Sequence, residues 1–152
     1  MIPDLIDIGN PAPYPVLPPG IHPATFEEIK HTFAYTPHRR ALFDGFCRAS
    51  DVLQNAGCQL VYLDGSFTTG KTHPDDFDAC WDFMNVDPHK LDPVLLDFNN
   101  KRAAQKAKYG GELFISASPA AHGIQFLDFF QKDRFSGKMK GILSVQLAKS
   151  SV

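Results

Sequence analysis

A regular alternation of apolar and polar residues begins at Asp76 and predicts a strand. The residues of one parity are apolar and are expected in a core: Phe77, Ala79, Trp81 and Phe83. The residues of the other parity are Asp76, Asp78, Cys80 and Asp82. Because successive side chains of a strand point to opposite faces, Asp76 and Asp78 share one face and lie roughly 7 Å apart along the backbone.

Helical periodicity marks the chain before this strand. Apolar residues spaced by three and four predict a core-facing helix over residues 37–56. Thr36 supplies its N-cap, Pro37 its first-turn proline and Gly57 its stop. The sequence Thr25-Phe26-Glu27-Glu28 is a capping-box pattern, which predicts a shorter helix upstream. Between the long helix and the aspartate strand, residues 59–64 are predicted to form a central strand.

The C-terminal half predicts four more elements. We expect a helix over residues 92–109, a short buried strand over 112–117, an aromatic helix over 122–132 and a closing strand over 141–147. The first helix ends in basic residues, which form either a solvated helix face or a contact for RNA phosphates or a nucleotide. The second helix is aromatic enough to belong to a core or an interface. Arg134, Lys138 and Lys140 could meet a phosphate or flank an edge strand.

The first 24 residues differ from the rest in composition, since they contain seven of the twelve prolines. Such a segment favours extended or polyproline conformation. It could be a flexible arm, a strap over the core, or a docking segment for another protomer in a homo-oligomer. We therefore divide the chain into a proline-rich arm, residues 1–24, and a single domain, residues 25–152.

Composition restricts the class of protein. A chain of 152 residues is about one domain and buries roughly two-thirds of its unfolded surface. A formal net charge of −2 gives no global attraction to nucleic acid or to a membrane surface. No apolar run approaches the ~20 residues that span a bilayer, and the N-terminus lacks the pattern of a secretory signal. We expect a cytoplasmic protein without a membrane segment.

Two short motifs carry the candidate chemistry. The sequence Leu63-Asp64-Gly65-Ser66 ends one strand, and nine residues separate Ser66 from Asp76. Glycine lets a phosphate approach the backbone, and the Ser66 hydroxyl and the N–H groups of the turn can donate to phosphate oxygens. Asp76 and Asp78 can converge on one Mg²⁺, which prefers oxygen ligands from one or two carboxylates and from phosphates. Together the motifs can hold a nucleoside triphosphate and its metal.

These motifs resemble the signature of the DNA polymerase β-like nucleotidyltransferase superfamily. The signature covers about a sixth of the chain, and the resemblance is closest to small bacterial minimal nucleotidyltransferases of toxin–antitoxin type. It implies an α/β (α+β) fold, with a mixed sheet and helices packed mainly on one face. It also implies that Asp76 and Asp78 hold Mg²⁺ and that Gly65 and Ser66 hold the phosphates.

Further site residues follow from the resemblance and from position. Active members of the superfamily carry a third carboxylate on a later strand, and Glu112 is the candidate for this ligand or base. Glu112 departs from the usual aspartate and is equally consistent with a solvated residue at a strand end. Asp82 is a second candidate for the third carboxylate and is otherwise a surface residue or a partner for a basic side chain. Asp75 is expected in the loop, and a shifted strand register would exchange its role. Lys71 lies between the motifs, as a cation for the triphosphate or as a solvated loop residue.

Two functions remain open at this stage. The first is a Mg²⁺-dependent nucleotidyltransferase that moves a nucleoside monophosphate from a nucleoside triphosphate to a hydroxyl on protein or RNA. The second is a catalytically silent binding protein of the same fold, which acts on a toxin–antitoxin or regulatory partner. The proline-rich arm, the aromatic helix and the unusual third carboxylate motivate the second.

Overall fold

The computed structural model describes residues 1–121 and 123–147 of the chain. This part contains seven strands and four α-helices. The strands are β1 (Gly20–Pro23), β2 (Leu60–Asp64), β3 (Phe77–Trp81), β4 (Gly111–Ile115), β5 (Pro119–Ala121), β6 (Ile124–Gln125) and β7 (Gly141–Gln146). The helices are α1 (Phe26–Phe33), α2 (Pro37–Asn55), α3 (Asn99–Tyr109) and α4 (Phe126–Phe129). The predicted α/β class is confirmed.

Five strands form the main sheet of the described residues, in the order β1-β7-β2-β3-β4. The outer pairs, β1 with β7 and β3 with β4, are parallel. The inner pairs, β7 with β2 and β2 with β3, are antiparallel. The sheet is therefore mixed, as predicted, while β5 and β6 form a separate antiparallel pair.

The main core lies between one face of the sheet and helices α1, α2 and α3. It contains Phe33 and Phe46 from the helices and Leu63, Phe77 and Trp81 from the sheet, all of them buried. The alternation predicted for β3 therefore places its apolar side correctly. This strand ends at Trp81, however, so Phe83 is not in the core but 56% exposed.

The opposite face of the sheet has an apolar end and an acidic end, which follow one another along the strands. Its apolar end, which includes Cys80 and Ile142, is buried by Phe126 and Phe130 of the α4 region. Cys80 therefore lies in a second, smaller core. Residues two positions away on the same face, Asp78 on β3 and Asp64 on β2, form an acidic end. This acidic end is where the candidate site lies.

Local signals predict the N-terminal helices well. The side chain of Thr25 accepts from the backbone N–H of Glu28 and the side chain of Glu28 from that of Thr25, which completes the capping box of α1. The side chain of Thr36 accepts from the N–H of Arg39 at the start of α2. Both helices and the central strand β2 agree with the prediction to within a residue or two.

The prediction of one helix over residues 92–109 is wrong. Pro93–Leu96 forms a 3₁₀ turn, capped by the side chain of Asp92. The helix α3 starts only at Asn99, and its first turn is irregular because residues 100–102 have left-handed backbone angles. Asparagine and aspartate compete with the helix through side-chain bonds to their own backbone, which explains the interruption.

The predicted aromatic helix over residues 122–132 is also wrong in extent. Its first residue, His122, lies outside the described residues, and the helix α4 covers only Phe126–Phe129. Gly123 has a φ of 79°, and β6 occupies Ile124–Gln125, so the chain turns where the prediction continues a helix. The aromatic residues do reach a core, as expected, but they do so mainly from a turn.

The proline-rich segment is part of the fold. Gly20–Pro23 forms the edge strand β1, and Leu17 belongs to the main core. Ile6 and Val16 form an isolated antiparallel bridge, with N···O distances of 2.7 and 2.9 Å. Residues 1–19 lie on the core as an N-terminal strap, and β1 follows them as a strand of the main sheet.

Candidate functional site

Three carboxylates lie side by side across the sheet. Asp64 on β2 pairs with Asp78 on β3, and Asp78 pairs with Glu112 on β4. Because neighbouring strands are about 4.8 Å apart, paired residues project from the same face as near neighbours. Glu112 is the second residue of β4, inside the strand and opposite Asp78, rather than at the strand's first position as expected.

A single cavity of about 920 Å³ brings the predicted site residues together. Its walls include all six of them: Gly65, Ser66, Lys71, Asp76, Asp78 and Glu112. Asp75, the register alternative, also lines this cavity. Asp82 lies beyond β3, where its side chain accepts from the N–H of Met84. The two motifs therefore line one cavity, although they are separate in the sequence.

Gly65 joins the two motifs physically. Its φ of 87° lies in the left-handed region, which favours glycine. A Cβ atom at this position would lie 2.9 Å from the backbone nitrogen of Asp78 and 3.0 Å from its Oδ2. The turn after β2 can approach the aspartate strand this closely only because residue 65 has no side chain.

Arg39 on α2 holds the loop that follows this turn. The guanidinium is fully buried, and it donates to the carbonyl oxygens of Phe67 and Thr69 at 2.8 and 3.1 Å. It also donates to the carbonyl oxygens of Lys71 and Phe33. Burial lowers the pKa of Arg39. Three carbonyl groups thus fix residues 66–71 against α2, and the fourth, that of Phe33, ties Arg39 to the end of α1.

Glu112 is held by two basic residues of α3. Its Oε1 lies 2.9 Å from Nη2 of Arg102 and 3.1 Å from Nζ of Lys106. Burial acts to raise the pKa of Glu112, but the hydrogen bonds from Arg102 and Lys106 outweigh it, so the pKa is lowered. Glu112 is therefore ionised and paired at neutral pH, which makes it a weak proton acceptor.

Asp64 has a lysine partner of its own. Lys140, the residue before β7, donates from Nζ to Oδ1 of Asp64, and both residues are more than nine-tenths buried. Burial raises the pKa of Asp64, while the charge and hydrogen bond of Lys140 act in the opposite direction. This pair lies beside Asp78 at the inner end of the cavity.

Asp76 and Asp78 are the two carboxylates without such a partner. Within the described residues, neither forms an ion pair with a basic side chain. Burial raises the pKa of Asp78 well above its ordinary value, and the charges of Asp64, Asp76 and Glu112 raise it further. Burial and the charge of Glu112 also raise the pKa of Asp76, against the effect of Lys106 and Lys71. Both carboxylates are thus placed where a cation would stabilise their ionised form.

The donor chemistry suits a small divalent ion. Over residues 1–121 and 123–147, no group of three His, Cys, Asp or Glu side chains is arranged to hold a metal by itself. Mg²⁺ needs no such cage, because it is commonly bound by one or two carboxylates together with substrate phosphates and water. Asp76 and Asp78 supply two carboxylates, and the Gly65–Ser66 turn lies within the same cavity.

The other half of the cavity is aromatic. Phe114 and Phe126 stack with ring centroids 4.1 Å apart, and Phe129 and Phe135 are partly exposed on the same wall. The guanidinium of Arg134 lies 4.8 Å from the ring centroid of Phe135. A planar apolar group bound beside the carboxylates would contact this wall.

The N-terminal strap closes one side of the cavity. Tyr14 and Val16 line it, and the carbonyl oxygen of Pro15 accepts from the N–H of Gly70 at 2.9 Å. The ring of Tyr14 also meets that of Phe135 edge to face, with centroids 6.1 Å apart. The strap therefore forms part of the wall of the cavity.

Sequence reasoning missed the roles of Asp64, Arg39 and Arg102, and it left Lys140 among several alternatives. A signal for Asp64 exists in parity, because Val61 and Leu63 face the main core and Asp64 is out of phase with them. Arg39 also leaves a signal, since it lies three residues before Leu42 on the apolar stripe of α2. The pairing of Arg102 with Glu112 leaves none, because it depends on the irregular first turn of α3.

Comparisons with known proteins give a family and no function. Neither the curated proteins nor the solved structures include a match to this chain. In the described part of the chain, no helix combines the length and the apolar character needed to cross a membrane. Residues 11–146 match the family of unknown function DUF6932, and this span includes every residue of the candidate site. The chain belongs to the DUF6932 family.

Proposed function

We propose that this protein is a Mg²⁺-dependent nucleotidyltransferase, which moves a nucleoside monophosphate from a nucleoside triphosphate to a hydroxyl acceptor. One observation carries the proposal: the Gly65–Ser66 turn packs against Asp78 so closely that a Cβ at residue 65 would overlap it. A phosphate-binding turn and a pair of carboxylates are thereby held in one cavity. This is the arrangement that the resemblance of the two motifs to the superfamily signature implies.

The phosphates would be bound by the turn after β2 and the loop that follows it. The Ser66 hydroxyl and the backbone N–H groups of the turn donate hydrogen bonds, and Lys71 contributes a positive charge from the cavity wall. Arg39 holds this loop through three carbonyl contacts, so the donors are in place before the ligand arrives. Preorganised donors of this kind lower the cost of stabilising charge during phosphoryl-type transfer.

Asp76 and Asp78 would hold the metal. Mg²⁺ bound there neutralises charge on the phosphate oxygens and on the departing pyrophosphate. The two aspartates are partly buried and unpaired in the described residues, so they orient the ion without competition from a neighbouring lysine or arginine. Glu112 keeps Arg102 and Lys106 at the edge of the site, where their charges also favour a bound triphosphate.

The acceptor would be a hydroxyl on a protein or on RNA, and the compartment would be the cytoplasm. The cavity extends from the carboxylates to the aromatic wall, so its volume of about 920 Å³ can accommodate a nucleotide. The aromatic wall supports binding of a planar base or of an apolar acceptor group.

The test is isothermal titration with each of the four nucleoside triphosphates in the presence of Mg²⁺. We expect binding that requires Mg²⁺ and is lost in an Asp76→Asn, Asp78→Asn double variant that remains folded by circular dichroism. An Asp51→Asn variant, altered at an exposed position on α2, is the matched control and should bind as the wild type does. Binding that persists in the folded double variant contradicts the assignment of the metal ligands.

A second candidate function is a catalytically silent binding protein that acts on a toxin–antitoxin or regulatory partner. Glu112 favours it, because a carboxylate fixed by Arg102 and Lys106 is a poor base for the acceptor hydroxyl. Nucleotide incorporation separates the two functions. Labelled nucleotide that binds but is never transferred, in the presence of the product of the adjacent gene, favours the silent protein, whereas transfer excludes it.

A further inference from the structure

The carboxylates of the cavity fall into two groups according to their partners. Glu112 is paired with Arg102 and Lys106, and Asp64 is paired with Lys140. Asp76 and Asp78 have no ion-pair partner among the described residues. In the row Asp64, Asp78 and Glu112, basic side chains of the protein thus neutralise the two outer carboxylates. The central carboxylate, Asp78, is left together with Asp76 for an external cation.

Lys140 is fixed in place by its surroundings. Its backbone N–H donates to the carbonyl oxygen of Gln131 at 2.9 Å, and the next residue, Gly141, donates to Leu17 at 2.9 Å. Only 10% of the Lys140 side chain is exposed. The backbone at Lys140 is therefore held from two sides, by the turn after α4 and by the N-terminal strap, and the ammonium group is held by Asp64.

The position of this ammonium group is informative because of the strand register. Asp64 is directly opposite Asp78, so a cation bound to Asp64 is also a near neighbour of Asp78. Two adjacent buried carboxylates ordinarily need a shared positive charge, since like charges in a low dielectric repel strongly. Lys140 supplies that charge as part of the chain, on the side of Asp78 away from Glu112.

We propose that Lys140 is a built-in cation that takes the place of a second divalent metal ion. The site then binds one divalent ion, between Asp76 and Asp78, and Asp64 is a partner of Lys140 rather than a metal ligand. This inference deepens the proposed function and rests on it, because it concerns how many metal ions the same site takes. A second divalent ion then finds no unpaired carboxylate in the row, because Lys140 pairs with Asp64 and Arg102 and Lys106 pair with Glu112.

The experiment counts Mn²⁺ ions by electron paramagnetic resonance, which measures free Mn²⁺ without any need for activity. We expect one bound Mn²⁺ per chain in the wild type. Lys140→Gln leaves Asp64 unpaired beside Asp78 and should create a second Mn²⁺ site. Lys132→Gln, an exposed lysine of the same cavity, is the matched control and should leave the count at one.

A double variant keeps the test decisive if Lys140→Gln does not fold, because a buried unpaired aspartate is strongly destabilising. Asp64→Asn with Lys140→Gln replaces the ion pair by two neutral amides and should restore both folding and a count of one. Two Mn²⁺ ions in the wild type, or fewer than one in the folded double variant, overturn the role of Lys140. Because phosphates complete the proposed metal site, each count is also made with a nucleoside triphosphate present. A wild type that binds no Mn²⁺ even then refutes the proposed function itself, and this inference with it.

Discussion

Gly65 is the residue at which the turn after β2 and the aspartate strand β3 meet. Its left-handed φ and its close approach to Asp78 are separate constraints, and any larger residue violates both. A Cβ atom 2.9 Å from a backbone nitrogen cannot be relieved by a side-chain rotation, so the strand or the turn must move. Local geometry at one residue therefore controls the distance between the two halves of the site.

Gly65→Ala should lower the free energy of unfolding by roughly 1–3 kcal/mol and abolish nucleotide binding, because backbone strain and overlap with Asp78 add together. Gly123→Ala is the control, since Gly123 also has a positive φ of 79° but has no atom within 4 Å of the added methyl group. Urea denaturation and nucleotide titration measure the two effects. Equal losses of stability in both variants would show that the overlap with Asp78 contributes nothing.

Residues that act through long-range contacts are the ones that sequence reasoning identified least well. Gly65, Ser66, Asp76 and Asp78 lie in recognisable motifs, and all of them line the cavity. Arg39 acts through carbonyl groups 28 to 32 positions away in the chain, and no local pattern encodes such partners. The same holds for Lys140 and Asp64, which are 76 positions apart.

Helices with strong local signals were predicted correctly, whereas the two helices predicted in the C-terminal half were not. The helices α1 and α2 begin at side-chain caps, and α2 carries a clear apolar stripe, so propensity and packing agree. In residues 92–109, before β4, local propensity and packing do not favour the same structure. Asp92 and Asp97 each bond to the backbone two residues on, and these short-range bonds divide the expected helix into turns.

The irregular first turn of α3 has a functional position, because it brings Arg102 to Glu112. Residues 100–102 have φ values of 52°, 56° and 61°, which are costly for residues with a side chain. The ion pair of Arg102 and Lys106 with Glu112 supports this conformation from the side of the cavity. Strained backbone conformations are often found next to functional sites.

Lys101→Gly should raise the free energy of unfolding by about 0.5–1 kcal/mol, because glycine adopts a left-handed conformation without strain and Lys101 is exposed. Ala107→Gly, at an exposed position in the regular part of the same helix, should lower it by about 1 kcal/mol. Thermal and urea denaturation of the two variants give the comparison. A loss of stability in Lys101→Gly would mean that the left-handed turn is not strained.

At the scale of the whole molecule, the cavity is lined by segments that are far apart in the described chain, including the N-terminal strap and residues 126–140. The strap of residues 1–19 contributes Tyr14 and Val16 to the cavity, and Lys138 donates to the carbonyl oxygen of Ile8 at 2.6 Å. Composition alone indicated an extended proline-rich segment but not its path, because irregular backbone takes its hydrogen bonds from whatever lies beside it. The fold thus places an acidic, partly buried cluster in a cavity that residues of the strap and of the C-terminal third line together.

This cluster links the stability of the whole protein to pH. The pKa of Asp78 is raised in the folded state, chiefly by burial and then by the charges of Asp64, Asp76 and Glu112. The folded protein therefore binds a proton more tightly at this position than the unfolded chain does. The contribution of Asp78 to the stability of the folded protein is therefore greatest below the ordinary aspartate pKa of about 3.9. This contribution is lost as pH rises through the raised pKa of the folded state.

Asp78→Asn removes the charge but keeps the shape of the protonated side chain, so it should stabilise the metal-free protein at pH 8. Each unit by which folding raises the pKa corresponds to about 1.4 kcal/mol, and the advantage of the variant should vanish as the pH falls toward 4. Urea denaturation across this pH range measures it, with Asp51→Asn on the surface of α2 as the control. Saturating Mg²⁺ should reverse the order at pH 8, because the ion stabilises only the ionised wild type. A variant that is no more stable than the wild type at pH 8 without metal would show that the cluster carries no uncompensated charge.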